Sequence, residues 1–324
     1  MTERVLVTGA TGFLGGAVLR RLGAQGIGQG RDPARLAALQ RDGLDTFAWA
    51  LPEVLSDTQA ASLCDVGAIV HAAGLSSPFG PRAAFQRANV AGTQAVIDLA
   101  RRLGVARFVL ISSPSVYFAL ADQLNMSEDA PLPRPFTPYA ESKAQAEALV
   151  RAAGDLGPVI LRPRGLYGPG DTALLPRLMR AAKTRALPRF RDGVAKIDLT
   201  YIDDCVDAVM AALRVEAAAG ATLNISGGEV LSVSDIVTQT CGRAGVTPRW
   251  KNVPLGPALM AARLAETVAL LRPGQPEPAV TRYGLGLFAF EQSLDISRAQ
   301  GVLGWTPKVP LAEGLERVFA EAPS

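Results

Sequence analysis

Residues Thr8 to Gly15 read T-G-A-T-G-F-L-G, and this run constrains the fold more than any other feature of the chain. It follows Arg4 to Thr8, a short apolar run patterned like a strand buried on both faces. It precedes Gly12 to Leu22, where apolar residues return at helical spacing. A glycine turn between strand and helix has a clear physical use. Gly9 allows a tight turn, Gly12 lets backbone approach a pyrophosphate, and Gly15 lets the helix pack on the strand. The free N–H groups and positive dipole end of the helix then face the phosphates. The run, with Thr11, Phe13 and Leu14 between its glycines, predicts a dinucleotide-binding loop.

Further buried-strand candidates are Ala68 to Ala72, Arg107 to Ser112 and Val159 to Leu161. Helical patterns run over Ala91 to Leu103 and Ala140 to Ala153. Strands alternating with helices predict an α/β fold, a Rossmann-type doubly wound parallel sheet. Its second strand is placed at Gly26 to Gly30 by spacing alone, because the run holds three glycines and one β-branched residue. The pattern loosens after Gly165. The expected division is a dinucleotide-binding domain over 1–164, with 196–222 returning to it, and a smaller substrate-binding domain over 165–195 and 223–324.

Composition narrows the function classes. The net charge of +3 is small for 324 residues, and the 33 Lys and Arg are scattered without a basic run, so nucleic-acid binding is not expected. Cys64, Cys205 and Cys241 show no metal or redox spacing, which fits a reduced, cytoplasmic compartment. A single histidine, His71, argues against a His-based metal site, and no metal is expected. The strand at Arg4 leaves no room for a signal peptide. No run of about 18 apolar residues predicts a membrane span. The most apolar region, Leu255 to Leu271, is broken by Arg263 and Glu266.

Tyr139 and Lys143 lie four apart in P-Y-A-E-S-K-A, a spacing that stacks them on one helical face. A nearby ammonium favours a phenolate, so Tyr139 is a candidate for proton exchange with an alcohol or ketone. Ser113, at the end of R-F-V-L-I-S-S, is placed to hydrogen-bond the same oxygen. At the adenosine end, Asp32 stands where an acidic residue binds the ribose, but Arg31 precedes it. A guanidinium there pairs with a 2′-phosphate by a forked contact, which tilts the expectation towards NADP(H) over NAD(H).

These runs, with I-V-H-A-A-G at 69–74, N-V-A-G-T at 89–93, I-S-S-P-S-V-Y at 111–117, L-R-P-R-G-L-Y-G-P-G-D at 161–171, Y-I-D-D at 201–204, N-I-S-G-G at 224–228 and L-G-W-T-P-K at 303–308, occur in an order that resembles the extended short-chain dehydrogenase/reductases. The resemblance implies that Tyr139 is the general acid/base, that Lys143 supports it and holds the nicotinamide ribose, and that Ser113 orients the reacting oxygen. It further implies that His71, Ala72, Ala73, Gly74, Ile111 and Ser112 lie along the cofactor, that Asn89 supports the site, and that Pro163, Arg164, Gly165 and Leu166 face the nicotinamide amide. Two departures stand out. Trp49-Ala50-Leu51 replaces the family's frequent Gly-Asp-Leu, and Arg164-Gly165 stands where sugar-nucleotide enzymes carry Asn.

Dehydratases of this family place Asp-Glu after the catalytic Ser or Thr; Pro114-Ser115 removes that acid and base. Val280 to Arg298 resembles the branch of 3β-hydroxysteroid, sterol and β-keto acid dehydrogenases. With Leu255 to Leu271 it is expected to supply apolar walls to the substrate pocket. The resulting expectation is an NAD(P)(H)-dependent oxidoreductase acting on a hydrophobic alcohol/ketone pair. The alternatives are a sugar-nucleotide 4-epimerase and, in another class, a non-catalytic NAD(P) sensor. The resemblance also implies a homodimer through helices 91–103 and 140–152.

Overall fold

The computed structural model describes residues 4–320. Its centre is a seven-stranded sheet: β1 (Arg4–Thr8), β2 (Gly26–Gly30), β3 (Asp45–Ala48), β4 (Val66–His71), β5 (Arg107–Ile111), β6 (Pro158–Pro163) and β7 (Thr222–Ile225). The order is β7-β6-β5-β4-β1-β2-β3, with every pairing parallel. The order reverses between β1 and β4, so a crevice opens at their carboxyl ends, the usual ligand position in such sheets.

Successive strand residues enter opposite cores, which is why these runs read as continuously apolar. Val5, Val7, Val109 and Leu161 pack beneath α1 (Phe13–Leu22) and the helix Ile202–Arg214. Leu6, Ile69, Phe108 and Ile160 pack beneath α3 (Gly92–Leu103) and α4 (Pro138–Ala152). Between β2 and β3 runs α2 (Pro33–Arg41).

The glycines of β2 have a packing reason. A Cβ at Gly28 would lie 2.5 Å from Leu19 Cδ2 and 2.9 Å from Ala10 Cβ, and one at Gly30 would lie 2.8 Å from Thr11 Cγ2. Bare backbone on this strand lets α1 and the glycine loop sit directly on it.

A second, four-stranded sheet pairs Val230–Ser232, Lys196–Asp198, Gln292–Leu294 and Gln123–Met126 in that order. This cuts across the division read from sequence. Gln123–Met126 comes from within 1–164, Lys196–Asp198 joins the small sheet rather than the large one, and β7 continues past residue 222. Strands of three or four residues carry little local pattern, and their partners lie far apart in the chain.

Helix Leu255–Leu270 packs Leu255, Ala258, Leu259 and Ala262 around Phe190, Leu285 and Ala289. Its other side faces outward, with Met260 74% and Leu264 67% exposed, so that side is no pocket wall. No helix among the described residues is long and apolar enough to cross a membrane.

Candidate active site

The glycine loop is locked by contacts that tolerate no side chain. Gly9 has φ +69, and a Cβ there would fall 2.7 Å from the Ala73 backbone. A Cβ on Gly15 would fall 2.3 Å from the Gly9 carbonyl oxygen. Gly12 N donates to that carbonyl at 2.9 Å. Gly12 opens α1 with no side-chain cap and no acidic residue in the first turn, where Phe13 and Leu14 lie. The first-turn N–H groups therefore remain for an anionic ligand, and the loop fits a dinucleotide pyrophosphate. Gln29 braces the loop. Its Oε1 accepts from Gly9 N at 3.0 Å, and its Nε2 donates to the Trp49 carbonyl. The sequence signal for it was a lone amide inside a glycine-rich strand.

Thr8 Oγ1 accepts from Ala73 N at 3.2 Å, and Ala72 N donates to Thr8 O at 3.3 Å, tying the loop to the end of β4. His71 lies beneath both. Its Nδ1 meets Thr8 Oγ1 at 2.7 Å and its Nε2 meets Thr93 Oγ1 at 3.0 Å. The ring is buried and both nitrogens are engaged, so the side chain is a brace rather than a ligand contact. Burial first, and then the charge of Lys143, depress its pKa from 6.5 to about 3. At the adenosine end, Asp32 caps α2, accepting from Ala34 N at 3.0 Å and Arg35 N at 3.3 Å. Arg31 is exposed beside it.

Thr137 caps α4 with Pro138 in its first turn, and this places Tyr139 at the helix start, partly exposed. Lys143, one turn on, is buried and donates from Nζ to the Ile111 carbonyl at 2.8 Å. A Cβ on Gly74 would lie 3.6 Å from that Nζ and 3.0 Å from Asn89 Oδ1. Asn89 sits in a π-helical turn, Gln86–Ala91, which precedes α3. Its Oδ1 accepts from Leu75 N at 2.7 Å, and its Nδ2 donates to Ser142 Oγ at 2.8 Å. Asn89 thus clamps the loop after β4 to α4. Ser113 opens the 3-10 turn Pro114–Tyr117, accepting from Ser115 N at 3.2 Å, which leaves its hydroxyl proton for another acceptor.

A buried network lies behind these residues and was not visible in the sequence. Arg162 grips Glu147 bidentately, Nε to Oε1 at 2.8 Å and Nη2 to Oε2 at 2.5 Å. Ser112 Oγ donates to Glu147 Oε1 at 2.6 Å, so its side chain is spent in the fold. Burial alone would raise the Glu147 carboxyl, but the Arg162 guanidinium brings it below its ordinary range. Glu147 follows Lys143 by one helical turn and anchors α4 over β5 and β6.

After β6, Arg164 N donates to the Ile225 carbonyl at 3.0 Å, and Gly165 turns with φ +51, where a Cβ would lie 2.5 Å from Leu199 Cδ2. Leu166 then pairs with Thr200. The Arg164 side chain reaches the small sheet, with Nε 2.9 Å from Asp198 Oδ1 and Nη1 donating to Gln292 Oε1 at 3.0 Å. An aromatic wall completes the site. Phe118 meets Phe136 at 4.9 Å and Tyr283 at 4.6 Å between ring centroids, and Phe85 stands 6.3 Å from Tyr139. Burial, and then Tyr139, push the Tyr283 phenol up to about 12.

A Rossmann crevice with an uncapped glycine-loop helix beside a Tyr–Lys helix and a strand-end serine defines a dinucleotide-dependent enzyme of the extended short-chain type. The chain matches the model of the NAD dependent epimerase/dehydratase family over residues 5–226 and belongs to that family. It is 32% identical to the 2-alkyl-3-oxoalkanoate reductase of Stenotrophomonas maltophilia, over 98% of this chain and 99% of that one. It is 31% identical to the sterol-4-alpha-carboxylate 3-dehydrogenase of Candida albicans, over 81% of this chain and 77% of that one. The fold is also that of UDP-glucuronic acid 4-epimerase from Bacillus cereus, with a TM-score of 0.75 at 24% identity and 98% of each chain covered. The chain is an NAD-dependent enzyme acting on CH–OH groups.

Proposed function

We propose that the protein interconverts a hydroxyl and a ketone on a hydrophobic substrate of the β-keto acid or sterol type. The observation that carries this reading is the aromatic wall of Phe118, Phe136 and Tyr283 beside the catalytic helix. Rings of this kind offer a large apolar surface to the carbon skeleton of a substrate. The names of the reductase and sterol dehydrogenase relatives agree with it.

The glycine loop would hold the pyrophosphate, and exposed Arg31 would meet a 2′-phosphate, favouring NADP(H), because Asp32 is committed to capping α2. When bound, the nicotinamide supplies or accepts the hydride. Tyr139 gives its phenolic proton to the ketone oxygen in reduction and takes it back in oxidation. Lys143 holds positive charge beneath it, and Ser113 donates to the same oxygen. The four-stranded sheet and its helices form the substrate side of the site. Dimerisation through α3 and α4 belongs to the same reading, with a light-scattering mass of two chains expected.

The test is absorbance at 340 nm with long-chain 3-oxo acids and 3-hydroxysteroids under either cofactor. Turnover with NADPH is expected, and Arg31→Ala should weaken NADPH binding about tenfold while leaving NADH within about twofold. Turnover of a nucleotide sugar alone, with cofactor retained and no net redox change, would establish epimerase chemistry instead.

A further inference from the structure

We propose that Arg164, Gln292 and Tyr283 form a carboxylate subsite beside Tyr139, so that the substrate is a 3-oxo or 3-hydroxy acid rather than an uncharged sterol. This rests on the hydroxyl–ketone chemistry proposed above and narrows its substrate class.

Two buried donors here, Arg164 Nε and Gln292 Nε2, make no hydrogen bond among the described residues. Arg164 is buried, and its charge touches Asp198 at 2.9 Å without hydrogen-bond alignment, so Nε stays unbonded. Its Nη1 donates to Gln292 Oε1, and among the described residues no acceptor meets Nη2. A guanidinium only donates, which fixes Oε1 of Gln292 as the atom facing it. The amide Nε2 must then point elsewhere, and it is buried without a partner. The Tyr283 hydroxyl, on a half-buried residue, is a third donor.

These groups come together from three parts of the chain. Arg164 leaves the end of β6, Gln292 opens the strand Gln292–Leu294, and Tyr283 lies in the first turn of helix Arg282–Ala289. Tyr283 is held against Phe118, which meets Phe136, and Phe136 precedes the Thr137 cap of the catalytic helix. Tyr139 and Arg164 both act electrostatically on the Tyr283 phenol. It stays protonated at working pH and remains a donor. The Asp198 carboxylate faces Arg164 with Oδ1 at 2.9 Å, while its Oδ2 accepts from Ser226 Oγ at 2.5 Å and Leu294 N at 3.0 Å.

Buried donors without acceptors are costly unless a ligand supplies oxygens. A carboxylate supplies two, in the planar geometry a guanidinium matches best. In a 3-oxo acid the carboxylate is two carbons from the ketone. Tyr139 can then serve one end while Arg164, Gln292 and Tyr283 serve the other, with the alkyl chain on the aromatic wall.

The test is calorimetric titration of the NADP⁺-loaded protein with a medium-chain 3-hydroxy acid and with its methyl ester. The acid should bind at least tenfold more tightly. Tyr283→Phe keeps the ring on Phe118 and should cut that preference to threefold or less. The isosteric Gln292→Glu puts a carboxylate where the free amide stood and should abolish it. Equal affinity for acid and ester, or a preference unchanged in both variants, would mean that the donors serve water and would overturn the subsite. Hydride transfer is read separately at 340 nm with the corresponding 3-oxo acid and NADPH. Tight, acid-selective binding without turnover would leave the subsite standing and remove the redox reading.

Discussion

Burial and Lys143 hold the His71 imidazole neutral, with its pKa near 3 against 6.5 in the unfolded chain. The unfolded state therefore binds the extra proton between those values, and stability rises with pH across that window. The contribution of His71 is complete above about pH 6.5 and is lost as pH falls towards 3, a loss on the order of a few kcal/mol. His71→Gln keeps polar contacts to Thr8 and Thr93 but cannot titrate. Its thermal midpoint should fall less steeply than wild type between pH 6.5 and 4, and equal steepness in the two proteins would contradict the account. Sequence reading placed His71 along the cofactor because the residues around it match a motif. What its ring touches depends on Thr8 and Thr93, one on another strand and one on α3. The placement of Tyr139 and Lys143 on one helix and of Ser113 after a strand was legible for the opposite reason, since a helical turn and a strand end are local features. Gln29, Glu147 and Arg162 were not, because each acts on groups set far from it in the chain.

At the level of elements, close approach of backbones decides which substitutions the glycine loop tolerates. Gly9 and Gly23 both have positive φ, but a Cβ on Gly9 would strike the Ala73 backbone whereas one on Gly23 meets nothing within 4 Å. Gly23→Ala should cost about 1 kcal/mol, the strain of the conformation alone. Gly9→Ala adds overpacking against a main chain that cannot swing aside and should cost about 3 kcal/mol or more. It should also abolish dinucleotide binding. Urea unfolding of the two variants separates these contributions, and equal costs would show that crowding at Ala73 is not the constraint. The same physics explains β2. Its glycines argued against a strand by propensity, and its place was readable only from spacing; the reason emerges once Leu19 and Ala10 are seen lying on it. The helix pattern at Ala91 was readable, but the π turn before it was not, since no periodic signal marks one extra residue in a turn.

Across the whole molecule, a chain of buried polar groups joins the large sheet to the small one. Glu147 and Arg162 connect to the Tyr117 hydroxyl, which donates to Asn224 Oδ1 at 3.0 Å, and Asn224 Nδ2 donates to the Met126 carbonyl at 2.9 Å. Glu147→Gln would leave the Arg162 charge buried beside a neutral amide and should destabilise the protein by about 3–5 kcal/mol. A loss under about 1 kcal/mol by denaturant unfolding would show the network to be dispensable. The parallel sheet was legible because buried strands and intervening helices recur in order. The small sheet was not, because its strands are short, come from four distant segments, and gain meaning only when paired. The central claim is that Tyr139 moves the proton while the glycine loop independently holds the cofactor. The direct test is Tyr139→Phe, measured for both NADPH binding and 3-oxo acid reduction. Binding within about twofold of wild type, an unchanged melting temperature and turnover reduced by about 10³-fold are expected. Turnover within about tenfold of wild type in a folded, NADPH-binding variant would contradict that claim.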